Sequence, residues 1–183
     1  MRQNNYGANA MYDEIEQRIR DVKDFPTKGI VFKDITPALG DGKTFAEIIN
    51  LFYERFKNVK IDKVAVVEAR GFLLGAPLAH KLGCGLVLLR KPGKLPYESY
   101  KESYDLEYGS AMLEMHVDAV KKGEWVLLID DVIATGGTME AACKLVQKAG
   151  GEIVASAFLI ELTFCKGRDI LEKYAPVETF IKY

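Results

Sequence analysis

The sequence predicts an α/β protein built on a doubly wound, mainly parallel sheet with helices on both faces. Four short, predominantly apolar runs, at residues 63–67, 86–89, 126–129 and 153–160, are typical of strands that are buried on both faces. Segments with helical periodicity separate the strands of each pair, which gives the order βαβ…βαβ. Ligands of such sheets bind beyond the carboxyl ends of the strands, so the residues that follow these runs are the candidate site.

Length and composition limit the classes of protein that fit. The 183 residues suit one domain over 1–183, with an N-terminal hood and base-binding segment over about 12–37 and a flexible lid over about 95–116. Twenty-five basic and 26 acidic residues give a net charge of −1, so no global field attracts nucleic acid or a membrane. The chain lacks an apolar stretch of transmembrane length and a signal-like start, which favours a cytoplasmic protein.

The N-terminal elements follow in order. Residues 1–10 are expected to be loosely packed, and the helical spacing of Tyr12, Ile15, Ile19 and Val22 predicts a helix that ends before residue 25. Residues 25–37 form an extended segment bounded by proline and glycine. The next helix has an apolar stripe through Phe56, and Thr44 and Glu47 are predicted to form its capping box.

The segments after the first two predicted strands carry charge. The strand over 63–67 is followed by Glu68-Ala69-Arg70-Gly71 and a helix that ends at Gly83, and the strand over 86–89 is followed by the basic residues Arg90, Lys91 and Lys94. Residues 97–116 then alternate tyrosines with charges, which favours a two-stranded ribbon. Leu113, Val117 and Val120 also fit helical spacing. An excursion at this edge of a sheet is a candidate lid, and a solvated hairpin is the alternative.

The most informative stretch is residues 124–138, in which an apolar strand ends in Asp130 and Asp131 and a loop of small residues leads into a helix. Glycines allow close approach to the backbone, hydroxyls donate hydrogen bonds, and a helix N-terminus attracts anions. We name Ala134-Thr135-Gly136-Gly137-Thr138 the phosphate cradle. The paired acids indicate a ligand that also carries hydroxyls or a metal ion, as a ribose phosphate does. The alternative is an ordinary strand–turn–helix with solvated acids. A short helix to about Tyr174 and a strand over 177–181 complete the chain.

Four stretches, at residues 25–37, 68–75, 90–96 and 126–138, resemble in their order and spacing the adenine branch of the type I phosphoribosyltransferases. The resemblance extends to residues 161–168 and covers nearly the whole chain after residue 11. Two departures are small. Val132 and Ile133 stand where leucines are usual in the family, and Ala69 stands where serine is more common.

The resemblance implies purine salvage: magnesium-dependent transfer of the 5-phosphoribosyl group from phosphoribosyl pyrophosphate (PRPP) to N9 of adenine, giving AMP and pyrophosphate. It also implies a homodimer, in which Arg90 could act across the interface, and a cis peptide bond in the loop over 68–71. The Mg²⁺ ion would be bound through PRPP oxygens and water, with no direct protein ligand.

The resemblance also assigns residue roles. Glu107 and Arg70 would be catalytic. The ribose and 5′-phosphate would be bound by Asp130, Asp131, Ala134, Thr135, Gly136, Gly137 and Thr138. Pyrophosphate would be bound by Ala69, Arg70, Gly71, Arg90, Lys91 and Lys94. Adenine would be bound by Val31, Phe32, Lys33 and Leu162.

Two alternatives stay open at this point. One is a phosphoribosyltransferase for another purine base. The other is a non-catalytic regulatory protein that binds PRPP through the cradle. Retention of Arg70, Lys91 and Glu107 favours an enzyme.

Overall fold

A computed structural model describes residues 5–105 and 110–183 of the chain. Two compact units can be distinguished, Met1–Leu51 and Phe52–Tyr183. The prediction of one domain over 1–183, with a hood and a flexible lid, stays a prediction. In the described parts of the chain, none of the helices is both long and apolar enough to cross a membrane.

The first unit contains a helix, a two-stranded hairpin and a short helix, and a longer helix begins in it. These elements are α1 (Asn5–Glu16), β1 (Arg20–Lys23), β2 (Val31–Asp34), α2 (Thr36–Gly40) and α3 (Gly42–Phe56). α1 begins at Asn5, so part of the N-terminal segment is helical, and the loose packing expected for residues 1–10 stays a prediction. The predicted helix through Val22 is wrong: Val22 lies in β1 opposite Phe32 of β2. The ladder of β1 with β2 satisfies the backbone groups that the helix would have used.

The N-terminus of α3 is capped by an aspartate that the sequence pattern did not identify. The Thr44 amide and hydroxyl both donate to Asp41 Oδ1, at 2.9 and 2.8 Å. Glu47 instead forms an ion pair with Lys43 at 3.6 Å. The predicted capping box is therefore wrong, because Asp41 stands one residue before the helix and takes the role that was assigned to Thr44.

The second unit carries the main sheet. Its elements are β3 (Lys63–Val67), α4 (Arg70–Leu82), β4 (Gly85–Leu89), β5 (Ser99–Asp105), β6 (Ser110–His116), β7 (Trp125–Ile133), α5 (Gly137–Lys148), β8 (Glu152–Glu161), α6 (Gly167–Leu171) and β9 (Val177–Lys182). Five strands form one parallel sheet in the order β4-β3-β7-β8-β9. The predicted fold class is confirmed.

The strand order explains why helices cover both faces. The crossover from β3 through α4 leads to β4 on one side, and the crossover from β7 through α5 leads to β8 on the other. Right-handed crossovers in opposite directions place their helices on opposite faces of the sheet. The order of the strands reverses between β3 and β7, and ligands of open α/β sheets bind at such a switch point.

The segment that could have been a ribbon or a helix is a ribbon. β5 pairs antiparallel with β6, and the four residues 106–109 between Asp105 and Ser110 lie outside the described residues. Leu113 and Met115 are buried in the hydrophobic core that also contains residues of α5. They alternate with exposed or polar positions at a spacing of two, as strands require, so the helical spacing of Leu113 and Val117 was misleading.

Candidate functional site

The phosphate cradle begins directly after β7, and this strand is longer than its apolar run. β7 runs to Ile133, because it stays paired with β8 through Asp130↔Phe158 and Ile133↔Glu161. The strand thus continues beyond the apolar run over 126–129 and through the two acids, and the β-branched residues Val132 and Ile133 favour this extension. Both acids therefore project from a rigid strand.

The cradle has the backbone geometry of an anion site. Gly136 has a φ of 86° and is the residue before α5, whereas Gly137 is the first residue of that helix. Of the two glycines, only Gly136 needs the conformation that side chains disfavour. The first N–H groups of a helix have no intrahelical partners and carry its positive dipole end, so they can bind a phosphate. The helix face that packs inward includes Met139, Ala142, Cys143 and Val146, all of which are buried.

The two acids have different surroundings. The side chain of Asp131 is only 3% exposed and accepts a hydrogen bond from Nε of Arg70, whose side chain is 43% exposed. Asp130 Oδ1 accepts the Asp131 amide at 2.9 Å. Burial, and then the charge of Asp131, raise the pKa of Asp130 well above its ordinary value. Asp131 thus orients Arg70, whereas the surroundings of Asp130 disfavour its charged form.

The loop after β3 lies against the end of β7. Its Glu68–Ala69 peptide bond is cis, which confirms that expectation. Gly71 is buried, and a Cβ there would lie 2.9 Å from the Ile129 carbonyl oxygen and 3.0 Å from Asp130 Oδ1. Only a residue without a side chain lets the start of α4 approach the acids so closely. The structure therefore brings the predicted pyrophosphate loop and the predicted ribose acids together at the switch point.

Glu68 joins the two predicted pyrophosphate segments. Its carboxylate accepts hydrogen bonds from Arg90 Nε at 3.1 Å, from Arg90 Nη2 at 3.2 Å and from the Lys91 amide at 3.1 Å. The Arg90 hydrogen bonds are the main reason that the pKa of Glu68 is lowered. Arg90 also donates to the Lys94 carbonyl at 3.1 Å. Within the chain, Arg90 thus holds the basic segment in place, and its action across a dimer stays a prediction.

Sequence reasoning assigned no role to Glu68. Its position directly after a buried strand, two residues before Arg70, was a usable signal. Sequence reasoning also assigned no role to Glu114, which is 3% exposed. Its carboxylate binds Lys101 at 2.9 Å and accepts the Gly93 amide at 3.2 Å. Glu114 therefore ties the basic segment to the ribbon of β5 and β6.

The remaining predicted site residues are less fully placed. Val31, Phe32 and Lys33 lie on β2 in the first unit, and Leu162 follows β8 in the second. The Phe25 and Phe32 rings pack edge to face, with 5.3 Å between ring centroids. Stacking of adenine between Phe32 and Leu162 stays a prediction. Glu107, the predicted catalytic acid, lies outside the described residues.

An ion-pair network follows the end of β8. Arg168 donates to both oxygens of Glu161, at 2.8 and 2.6 Å, and Thr179 donates to Glu161 at 2.7 Å. The Arg168 hydrogen bonds, more than any other contact, lower the pKa of Glu161 from 4.5 to about 2. The network joins β8, α6 and β9.

This network predicts a pH dependence of stability. A carboxyl group with a lowered folded-state pKa stabilises fully above its unfolded value of 4.5, and the contribution is lost as the pH falls toward about 2. We expect Glu161→Gln to lower the Tm near neutral pH, and its difference from wild type to shrink between these two values. Thermal unfolding across the range measures this. Glu172→Gln, at an exposed partner of Arg168, is the control. A Glu161→Gln difference that is constant with pH would contradict the assignment.

Comparison with known proteins identifies the class to which this fold and site belong. The family described as "Phosphoribosyl transferase domain" matches residues 38–181. An adenine phosphoribosyltransferase from Geobacter metallireducens is 58% identical over 156 residues, which are 85% of this chain and 91% of the relative. The chain therefore belongs to the phosphoribosyltransferases.

Solved structures indicate which kind of phosphoribosyltransferase this chain is. The adenine phosphoribosyltransferase from Rhodothermus marinus is 50% identical, with a TM-score of 0.91 and coverage of 96% of this chain and 99% of the other. The enzyme from Saccharomyces cerevisiae, solved with adenine and an imino-altritol bisphosphate, is 39% identical, with a TM-score of 0.89 and coverage of 94% and 99%. Within its family the chain belongs to the adenine phosphoribosyltransferases, purine-salvage enzymes that make AMP and pyrophosphate from adenine and PRPP.

Proposed function

We propose that this chain catalyses that transfer at the switch point between β3 and β7. The observation that carries the proposal is the close approach of Gly71 to Asp130. A Cβ at Gly71 would lie 3.0 Å from Asp130 Oδ1. It brings a candidate pyrophosphate loop and a candidate ribose site within the span of one PRPP molecule. The reacting anomeric carbon lies between the two groups that these segments would bind.

The cradle would hold the 5′-phosphate. The backbone of Ala134–Thr138 and the hydroxyls of Thr135 and Thr138 supply donors, and the dipole of α5 adds positive potential. Asp130 and Asp131 would accept hydrogen bonds from the ribose hydroxyls. Their negative charge also favours the positive charge that develops on the sugar ring as the bond to pyrophosphate stretches.

The departing pyrophosphate would be held from the other side. Arg70 and Lys91 are the main cations, and the backbone of Ala69 and Gly71 supplies further contacts. Arg90 and Lys94 belong to the same basic segment, which Glu68 and Glu114 fix in place. Since the base attacks from the face opposite the leaving group, the configuration at the anomeric carbon inverts.

The donor set fits a Mg²⁺ ion that is held mainly by its substrate. Asp131 already binds Arg70, so two adjacent carboxylates, one of them paired, do not form a complete cage. Mg²⁺ commonly combines one or two carboxylates with substrate phosphates and water. When bound, the ion neutralises charge on pyrophosphate. Asp130 and Asp131 would orient its water ligands.

Adenine would bind at β2. Phe32 would stack on the ring, with Leu162 on its opposite face, and the main chain of Val31 and Lys33 would read the purine edge. The yeast relative, solved with adenine, supports this substrate. We further propose a homodimer in the cytoplasm, with no nucleic-acid or membrane partner, in keeping with a net charge of −1.

Glu107 would exchange a proton with N7 of adenine as N9 becomes the nucleophile. General acid–base assistance contributes roughly 10²–10⁴-fold, so we expect Glu107→Gln to lower kcat at least about tenfold and to change the KM for PRPP little. Steady-state and single-turnover kinetics measure the effect. Glu102→Gln, in β5, is the control. An unchanged single-turnover rate in Glu107→Gln would remove this residue from the catalytic groups.

One assay tests the proposal as a whole. The protein is incubated with PRPP and Mg²⁺ and with adenine, hypoxanthine, guanine or xanthine in turn, and nucleotide is measured. We expect AMP from adenine, and none when Mg²⁺ is chelated. PRPP binding without any nucleotide would instead favour the regulatory protein, and turnover of an oxopurine would favour the other-base enzyme.

A further inference from the structure

The backbone of Gly167 packs against the backbone of the phosphate cradle. A Cβ at Gly167 would lie 2.2 Å from the Ala134 carbonyl oxygen and 2.8 Å from the Gly136 amide nitrogen. The reverse contact is also close: a Cβ at Gly136 would lie 2.8 Å from the Gly167 carbonyl oxygen. Both glycines are buried. The two backbones therefore touch at the point where the cradle takes its left-handed turn.

The position of Gly167 is fixed by its neighbour. Arg168 makes its forked contact with Glu161 at the end of β8 and also donates to the Val177 carbonyl at 2.7 Å and to the Thr179 hydroxyl at 3.0 Å. Two strands of the sheet thus anchor the residue that follows Gly167. The two hydrogen bonds from Arg168 to Glu161 are charge-assisted and bidentate, which gives this contact geometric specificity. A shift of the Arg168 backbone would move Gly167 against the cradle.

We propose that Gly167 and Arg168 form a brace that sets the shape of the phosphate cradle and so act as positioning residues for PRPP. The brace consists of Gly167, Arg168, Glu161 and Thr179. It rests on the proposed function of the cradle, and it assigns a role to Glu161, Gly167 and Arg168, which the proposed binding of PRPP and adenine does not use. Backbone N–H groups bind phosphate well only when they converge, and the brace holds that convergence before PRPP arrives.

Gly167→Ala tests the brace directly. Gly167 does not have a positive φ, so alanine is compatible with its backbone, and only the crowding against Ala134 and Gly136 is introduced. We expect the affinity for PRPP and for ribose 5-phosphate, measured by calorimetry, to fall at least about tenfold, because displaced amides no longer converge. At saturating PRPP, kcat should stay within about threefold of wild type.

Gly42→Ala is the matched control. Gly42 is also the first residue of a helix, but a Cβ there meets nothing within 4 Å. We expect its PRPP affinity and Tm to match those of wild type. Unchanged PRPP affinity in a folded Gly167→Ala would overturn the proposal.

A second variant covers the case in which Gly167→Ala does not fold. Arg168→Lys keeps the charge but cannot form the fork to Glu161. We expect it to raise the KM for PRPP at least about threefold, with kcat within about twofold. A purely structural network would lower the Tm and leave the KM unchanged, and that result would overturn the brace.

Thr138→Val separates failure of the brace from failure of the cradle. If Thr138→Val weakens PRPP binding and the brace variants do not, the cradle is correctly assigned and the brace is wrong. If Thr138→Val also leaves PRPP affinity unchanged, the proposed phosphate site itself is wrong, and the brace is rejected with it.

Discussion

Adenine should be converted at least about 100-fold more efficiently than hypoxanthine or guanine, measured as kcat/KM with PRPP and Mg²⁺ present. At about 1.4 kcal/mol per factor of ten, this ratio requires about 2.7 kcal/mol. Adenine offers an acceptor at N1 and a donor at N6, and hypoxanthine reverses both. A main chain that pairs with adenine would leave two buried groups unpaired with hypoxanthine, at ~1–3 kcal/mol each.

The position of β2 gives this prediction a structural basis. β2 pairs with β1 along one edge, and a strand carries main-chain donors and acceptors along both of its edges. If main chain reads the base, Val31→Ala should keep the adenine preference, since the backbone is unchanged. Phe32→Leu should lower kcat/KM for every base without changing their ratio. Comparable turnover of adenine and an oxopurine by the wild-type protein would contradict the base assignment.

The sheet could be predicted from the sequence because each strand carries its own signal. The apolar runs over 63–67 and 153–160 are local features that hold wherever the chain places them. The cradle was predicted for the same reason: Gly136, Thr138 and the following helix are neighbours in sequence. The bounds were less accurate. Pairing with β8 extends β7 through both acids, and a single-strand pattern does not contain its partner.

The long-range contacts of the site could not be read from the sequence. Glu68 and Arg90 are 22 positions apart, and Arg70 and Asp131 are 61 apart. Each residue alone is compatible with a solvated charge, and only the strand order brings the partners together. Gly167 is a similar case. The backbone of Ala134, in a different loop, lies so close to Gly167 that there is no room for a side chain. The segments that bind the ligand could thus be predicted from the sequence. The contacts that hold these segments in place could be identified only from the structure.

Arg70→Gln should lower kcat about 100-fold. The guanidinium lies at the start of α4, where Asp131 orients it through Nε, and its planar, permanently charged fork matches the geometry of phosphate oxygens. Charge on the leaving pyrophosphate grows in the transition state, and loss of one group placed to stabilise such charge costs roughly 10²–10³-fold in kcat. Because the effect is greater in the transition state than in the ground state, the KM for PRPP should rise by a smaller factor.

The same substitution also leaves the buried Asp131 without its cation, so stability and catalysis must be measured separately. Arg70→Lys keeps the charge without the planar fork and should recover only part of kcat. Arg55→Gln is the matched control, because Arg55 also pairs with a carboxylate, Glu178, away from the loops of the site. We expect its kcat to match wild type. Thermal unfolding checks that each variant is folded at the assay temperature. If folded Arg70→Gln and Arg55→Gln have the same kcat, Arg70 serves only to neutralise Asp131 and has no role in the departure of pyrophosphate.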